Sequence, residues 1–78
     1  MPTILREGPY RFFFYSADGH EPEHAHVERD RLTAKFWLDP VRLADSHGFG
    51  PTELRQIERI VVEQRMFLLK EWHEYFSA

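Results

Sequence analysis

From Leu32 to Leu38 apolar and polar side chains alternate without interruption. Leu32, Ala34, Phe36 and Leu38 share one parity and Thr33, Lys35 and Trp37 the other. That is the period of a strand buried on one face. Residues 10–15, Tyr-Arg-Phe-Phe-Phe-Tyr, form a short aromatic run with the length of a strand, placing Tyr10, Phe12 and Phe14 opposite Arg11, Phe13 and Tyr15. Between these two lies a third strand, residues 24–29, entered through Pro22. His24, His26 and Glu28 fall on one face, and Ala25 and Val27 on the other. Thr3 to Arg6 reads as a short first strand closed by Gly8-Pro9, and Val41 to Ala44 as a brief edge strand before a loop over residues 45–50. Residues 16–22, with their Asp18-Gly19 pair, read as a loose polar connection, while Asp30 and Asp39-Pro40 mark tight turns.

Beyond Pro51 the period changes to that of a helix. Leu54, Ile57, Val61, Leu68, Trp72 and Tyr75 recur at helical spacing, widened by Ile60, Val62, Phe67, Leu69 and Phe76. Pro51 suits a first turn, Glu53 suits the positive end of the dipole, and no Gly or Pro follows to stop the helix. The expectation is one helix over residues 51–76, about 39 Å long against about 20 Å for strands of six residues. Its overhanging end, with Phe67, Leu68, Leu69, Trp72, Tyr75 and Phe76, then needs cover. A second copy or a partner chain supplies it; the alternative is that the helix bends or frays near its end and its aromatics fold back onto the first strand. The predicted architecture is a single α+β domain over residues 1–78. It has an antiparallel meander of three main strands with one or two short ones, packed on one long C-terminal helix around Val27, Phe36, Leu38, Ile57 and Val61.

Composition narrows the class. With 78 residues, no cysteine, 42% hydrophobic residues and seven phenylalanines, the chain has the material for one dense core and no disulfide to support it. No apolar run reaches the roughly 20 residues of a membrane span, and the first residues lack the layout of a secretion signal, so the expected location is the cytoplasm. A formal charge of −3 leaves nucleic-acid binding to a local basic patch.

Several stretches together carry a resemblance. Met1-Pro2-Thr3-Ile4-Leu5, Gly8-Pro9-Tyr10-Arg11-Phe12-Phe13-Phe14-Tyr15-Ser16, Glu21-Pro22-Glu23-His24-Ala25-His26-Val27-Glu28-Arg29, Ala34-Lys35-Phe36-Trp37-Leu38-Asp39-Pro40-Val41 and Trp72-His73-Glu74-Tyr75-Phe76 resemble a small bacterial family known as a domain of unknown function, number four-one-six-zero. The resemblance implies one half of a toxin–antitoxin pair, encoded beside another small protein. It implies no catalytic residue.

Three chemical readings stay open. In the first, His24 and His26, Glu28, and Arg11 or Lys35 form an open sheet face on which a toxin acts on RNA, with imidazoles for proton transfer, cations for phosphate and Tyr15 and Trp37 for base stacking. No cofactor is expected there. In the second, His24 and His26 aim two imidazoles at one divalent first-row metal, completed by Glu28, Glu21, His20 or His47. In the third, the chain is a non-catalytic interaction module. It docks through its helix and a strand edge as a homodimer or in a heterocomplex with the neighbouring gene's protein.

Overall fold

A computed structural model describes residues 3–77. Five strands, β1 (Thr3–Glu7), β2 (Tyr10–Phe13), β3 (His24–Arg29), β4 (Leu32–Leu38) and β5 (Val41–His47), form one antiparallel sheet in sequential order. Two helices follow, α1 (Pro51–Glu63) and α2 (Arg65–Phe76). This corrects the expected fold in two respects. The sheet has five strands of comparable standing, with β5 running through Asp45, Ser46 and His47 where a loop was expected. The helical segment is two helices, not one.

Both departures have physical causes. The backbone groups of residues 45–47 are taken up by pairing with β4, where Thr33 faces His47 and Lys35 faces Asp45, and a bulge between Asp45 and Leu43 absorbs the change of alternation. A similar irregularity interrupts β1 between Thr3 and Leu5, so both outer strands are locally bent, a feature that discourages edge-to-edge pairing. The helix breaks at Gln64, whose φ of −100° and ψ of 12° leave the helical region. No Gly or Pro is involved. The joint is instead tied down by side chains: Arg65 donates to the Leu38 carbonyl at 2.9 Å and to the Asp39 carboxylate at 2.7 Å, and Gln64 donates to Glu7 at 3.4 Å.

The bend keeps the apolar stripe on the sheet. Phe12, Phe14, Val27, Phe36, Leu38, Ile57, Val61 and Leu68 are fully buried, and Trp72 is 5% exposed. Leu68 and Trp72 of the helix end are therefore covered within one chain, while Phe67 and Tyr75 stay exposed. Trp72 packs against Phe14 at 5.2 Å and Phe76 at 4.3 Å between ring centroids, and Phe76 lies against Gly19, where a Cβ would meet its ring. Val62, Met66 and Phe67 remain exposed near the joint.

Turns are built where the sequence allows a left-handed backbone. Asp30 (φ 57°) turns β3 into β4, a role its short side chain tolerates, and Gly48 (φ 100°) takes the chain from β5 past Leu32, whose side chain occupies the space of a Cβ. A second anchor fixes the start of α1. Glu53 accepts two hydrogen bonds from Arg29 (2.6 and 2.8 Å) and one from the Tyr10 hydroxyl (2.8 Å). The Arg29 guanidinium first, and Tyr10 second, hold the Glu53 carboxyl below its ordinary value of 4.5. A group depressed in the folded state contributes stability above its unfolded value and loses it as pH falls through the folded one. Facing it are Arg29 from β3 and Tyr10 from β2, and Arg29 is also paired with Asp30. Thermal stability should therefore decline on acidification below about pH 4.5, and Glu53→Gln should be less stable at neutral pH with a flatter acid limb. Parallel melting curves of the two proteins from pH 3 to 7, with unchanged spacing, would discount this anchor.

Candidate metal centre

The site is assembled from the start of β3 and the short helix before it. Residues 16–20 form a 3-10 helix (Ser16–His20) in place of the loose loop expected, capped by Tyr15. Asp18 is its third residue, and its carboxylate accepts the Tyr15 backbone N–H at 2.8 Å, a reciprocal cap that fixes the side chain. The same Oδ2 atom accepts from His26 Nε2 at 2.9 Å and lies 3.2 Å from His24 Nε2.

His24 is the unusual member. Alternation assigns it to the open face, yet as the first residue of its strand it is fully buried. Its ring lies 5.0 Å from Trp72, 5.5 Å from Trp37 and 5.1 Å from His26. Nδ1 lies 2.9 Å from the Pro22 carbonyl, which can only accept, so Nδ1 carries a proton. In a neutral ring Nε2 is then a bare lone pair. It is buried, close to Asp18 but not aligned for a hydrogen bond, and without a hydrogen-bond partner among the described residues. A lone pair facing a carboxylate oxygen is repelled unless positive charge sits between them.

His26 completes the set. Burial is the largest cause that pushes its imidazole below the ordinary value, against the Asp18 carboxylate, which raises it, and the shift favours the neutral ring that ligation needs. The donor atoms of Asp18, His24 and His26 all lie within 4.8 Å of one another. An ion with bonds of about 2.0–2.1 Å in tetrahedral geometry separates its ligands by about 3.3 Å. The 3.2 Å between His24 Nε2 and Asp18 Oδ2 is near that spacing, while the 2.9 Å contact of His26 Nε2 is a hydrogen bond whose proton an ion would displace. Two imidazoles and one carboxylate are a donor set for first-row divalent metals, and the Nδ1–H bond to a backbone carbonyl is the usual device for orienting a ligating histidine. The expectation of no cofactor is thereby corrected: the buried Asp18–His24–His26 cluster fits a metal.

The remaining expected site residues are held in ion pairs along the same sheet face. Glu28 is paired with Arg11 at 2.6 Å, directly across β2 and β3, and Arg11 also covers the Phe13 ring at 4.5 Å. Lys35 stands opposite His26 on β4, bonds Glu21 at 2.5 Å and lies 4.6 Å from the Trp37 ring centroid. The Lys35 hydrogen bond holds the Glu21 carboxyl below its usual range. Of the acidic and imidazole candidates offered as a third ligand, none joins the cluster: Glu28 and Glu21 are in these pairs, His47 pairs with Asp45 at 3.1 Å, and His20 is exposed outside it. Asp18 was missed. Its signal in the sequence is faint, an Asp-Gly pair six residues before His24, because its aim depends on the 3-10 helix.

Residues 10–73 match the family described as Domain of unknown function (DUF4160). No curated protein and no solved structure matches the chain.

Proposed function

We propose that this chain, which belongs to the DUF4160 family, is a small metal-binding protein that holds a divalent first-row ion between Asp18, His24 and His26. The observation that supports it best is the buried, unpartnered Nε2 of His24 facing the Asp18 carboxylate. When bound, the ion supplies the positive charge this pair lacks and acts as a Lewis acid at its remaining position. Asp18 and the two imidazoles orient it, and Pro22 holds the His24 tautomer. This reading is favoured over acid–base cleavage of RNA because His24 has no exposed surface with which to approach a phosphodiester.

Both tryptophans of the chain flank His24, which makes the test direct. Titrating cobalt(II) into metal-free protein should quench tryptophan fluorescence and produce the visible absorption of low-coordinate cobalt, and Asp18→Asn or His26→Ala should weaken both. If neither signal appears, the cluster does not hold a metal and the reading falls.

A second reading rests on Val62, Met66 and Phe67, which are exposed at the helix joint. They offer an apolar patch for a homodimer or for the neighbouring gene's protein, as a toxin–antitoxin component requires. Light scattering that finds a monomer at high concentration, alone and with that protein added, removes this reading.

A further inference from the structure

The end of α2 meets the segment carrying the three ligands at three points. Trp72 lies 5.0 Å from the His24 ring between centroids. Phe76 lies on the 3-10 helix that carries Asp18, where a Cβ on Gly19 would come within 2.8 Å of its ring. His73 Nε2 is 3.1 Å from the carboxylate of Glu23, the residue before His24. The rings of this turn also pack on one another and on the sheet side. Phe76 is 4.3 Å from Trp72, 4.8 Å from Tyr75 and 6.0 Å from Phe14.

The 3-10 helix depends on such contacts for its place. Its own hydrogen bonds are short in range: the Asp18 N–H donates to the Tyr15 carbonyl and the Glu21 N–H to that of Asp18, each at 3.0 Å, and the Tyr15 N–H to the Asp18 carboxylate at 2.8 Å. These bonds shape the segment and leave its distance from β3 to be set by other groups. The bond from His26 to Asp18 is one of them, but an ion displaces its proton. With metal bound, the distance from Asp18 to the two imidazoles then rests on the ion and on the packing of Phe76 against Gly19. Helix ends fray, and the last turn of α2 is held down by these same contacts. Two events that each favour the docked turn are coupled, and such coupling is reciprocal.

Resting on the metal reading, we propose that Phe76 and Trp72 are positioning residues of the metal centre: the last turn of α2 clasps the Asp18 helix and His24 together, so that ion binding and docking of this turn strengthen each other. The test uses the full chain, with zinc affinity of the wild type measured first and amide hydrogen exchange then followed with zinc and with chelator. Zinc should slow exchange of the amides of residues 72–76 roughly tenfold, and Phe76→Ala, at a half-buried position, should stay folded and bind zinc roughly tenfold more weakly. Gly19→Ala, which pushes the same ring away, should lose a similar factor, and the double variant should lose no more than Phe76→Ala alone. Phe49→Leu alters a buried ring packed against Tyr10 and beneath Arg29, and should lower the melting point while keeping the wild-type zinc affinity. Unchanged zinc affinity in Phe76→Ala, or exchange at residues 72–76 that ignores zinc, overturns the clasp and leaves the metal reading standing. An equal loss of affinity in Phe49→Leu overturns it too, because the loss then follows global stability, and additive losses in the double variant overturn the Gly19 contact as the route. Absence of zinc binding in the wild type overturns the metal reading and this inference together.

Discussion

Trp72→Glu is expected to unfold the domain, not to dissociate an assembly. Trp72 is 5% exposed and sits among Phe14, Phe76 and His24 inside a single chain. Removing an indole from such a place costs about 3–5 kcal/mol, and an unpaired carboxylate left there costs several more. At roughly 0.05–0.15 kcal/mol per residue, a chain of this length holds about 4–12 kcal/mol in total, so the change consumes most or all of it. Far-UV circular dichroism and amide shift dispersion should report loss of native structure. Trp72→Phe, which keeps an aromatic ring, should stay folded with a lowered melting point. A well-dispersed, cooperatively melting Trp72→Glu protein would mean that the indole faces out, returning it to the interface expected from the helix pattern alone.

That misplacement shows where the sequence stopped being legible. The alternation of β4 and the pairing of β3 with it are local properties, and both strands run over the residues expected, with Phe36, Leu38 and Val27 inward. The helical stripe is equally local: Ile57, Val61, Leu68 and Trp72 are the buried helix residues. Nothing in that stripe marks Gln64, because the spacing from Val61 to Leu68 suits a straight helix as well as a bent one. The bend comes from fitting about 26 residues of helix to a shorter sheet. It is held by Arg65 reaching back to Leu38 and Asp39, contacts between residues far apart in the chain. β5 was cut short because its bulge breaks the alternation after Leu43.

The site was half legible for the same reason. His24 and His26 stand out as two imidazoles on one strand face, and they do come together. Alternation says which way a side chain leaves the strand and not what covers it. The burial of His24 depends on Trp72, 48 positions away by subtraction of their numbers, and on the 3-10 helix that brings in Asp18. Glu28, Arg11 and Lys35, grouped with the histidines by parity, are committed to ion pairs along the same face.

Zinc should raise the melting temperature of the wild-type chain by about 10–20 °C when supplied at a hundredfold its dissociation constant. A ligand that binds only the folded state at that excess stabilises it by about 2.7 kcal/mol, and a domain of this size gains about 4–8 °C per kcal/mol. The cluster meets the condition of binding the folded state preferentially, because Asp18 comes from the 3-10 helix and the two imidazoles from β3, and only the fold brings all three donors within 4.8 Å. Asp18→Asn nearly conserves shape while removing the anionic donor, so it should fold and lose most of the zinc response. His24→Ala should lose the response as well and start from a lower melting point, since it empties a fully buried position beside Trp72. His47→Ala, whose ring is exposed and paired only with Asp45 among the described side chains, should respond as the wild type does. The decisive measurement is the zinc-minus-chelator difference in melting temperature for the four proteins. An equal difference in wild type and Asp18→Asn would place the ion elsewhere, and no difference in the wild type would overturn the metal reading.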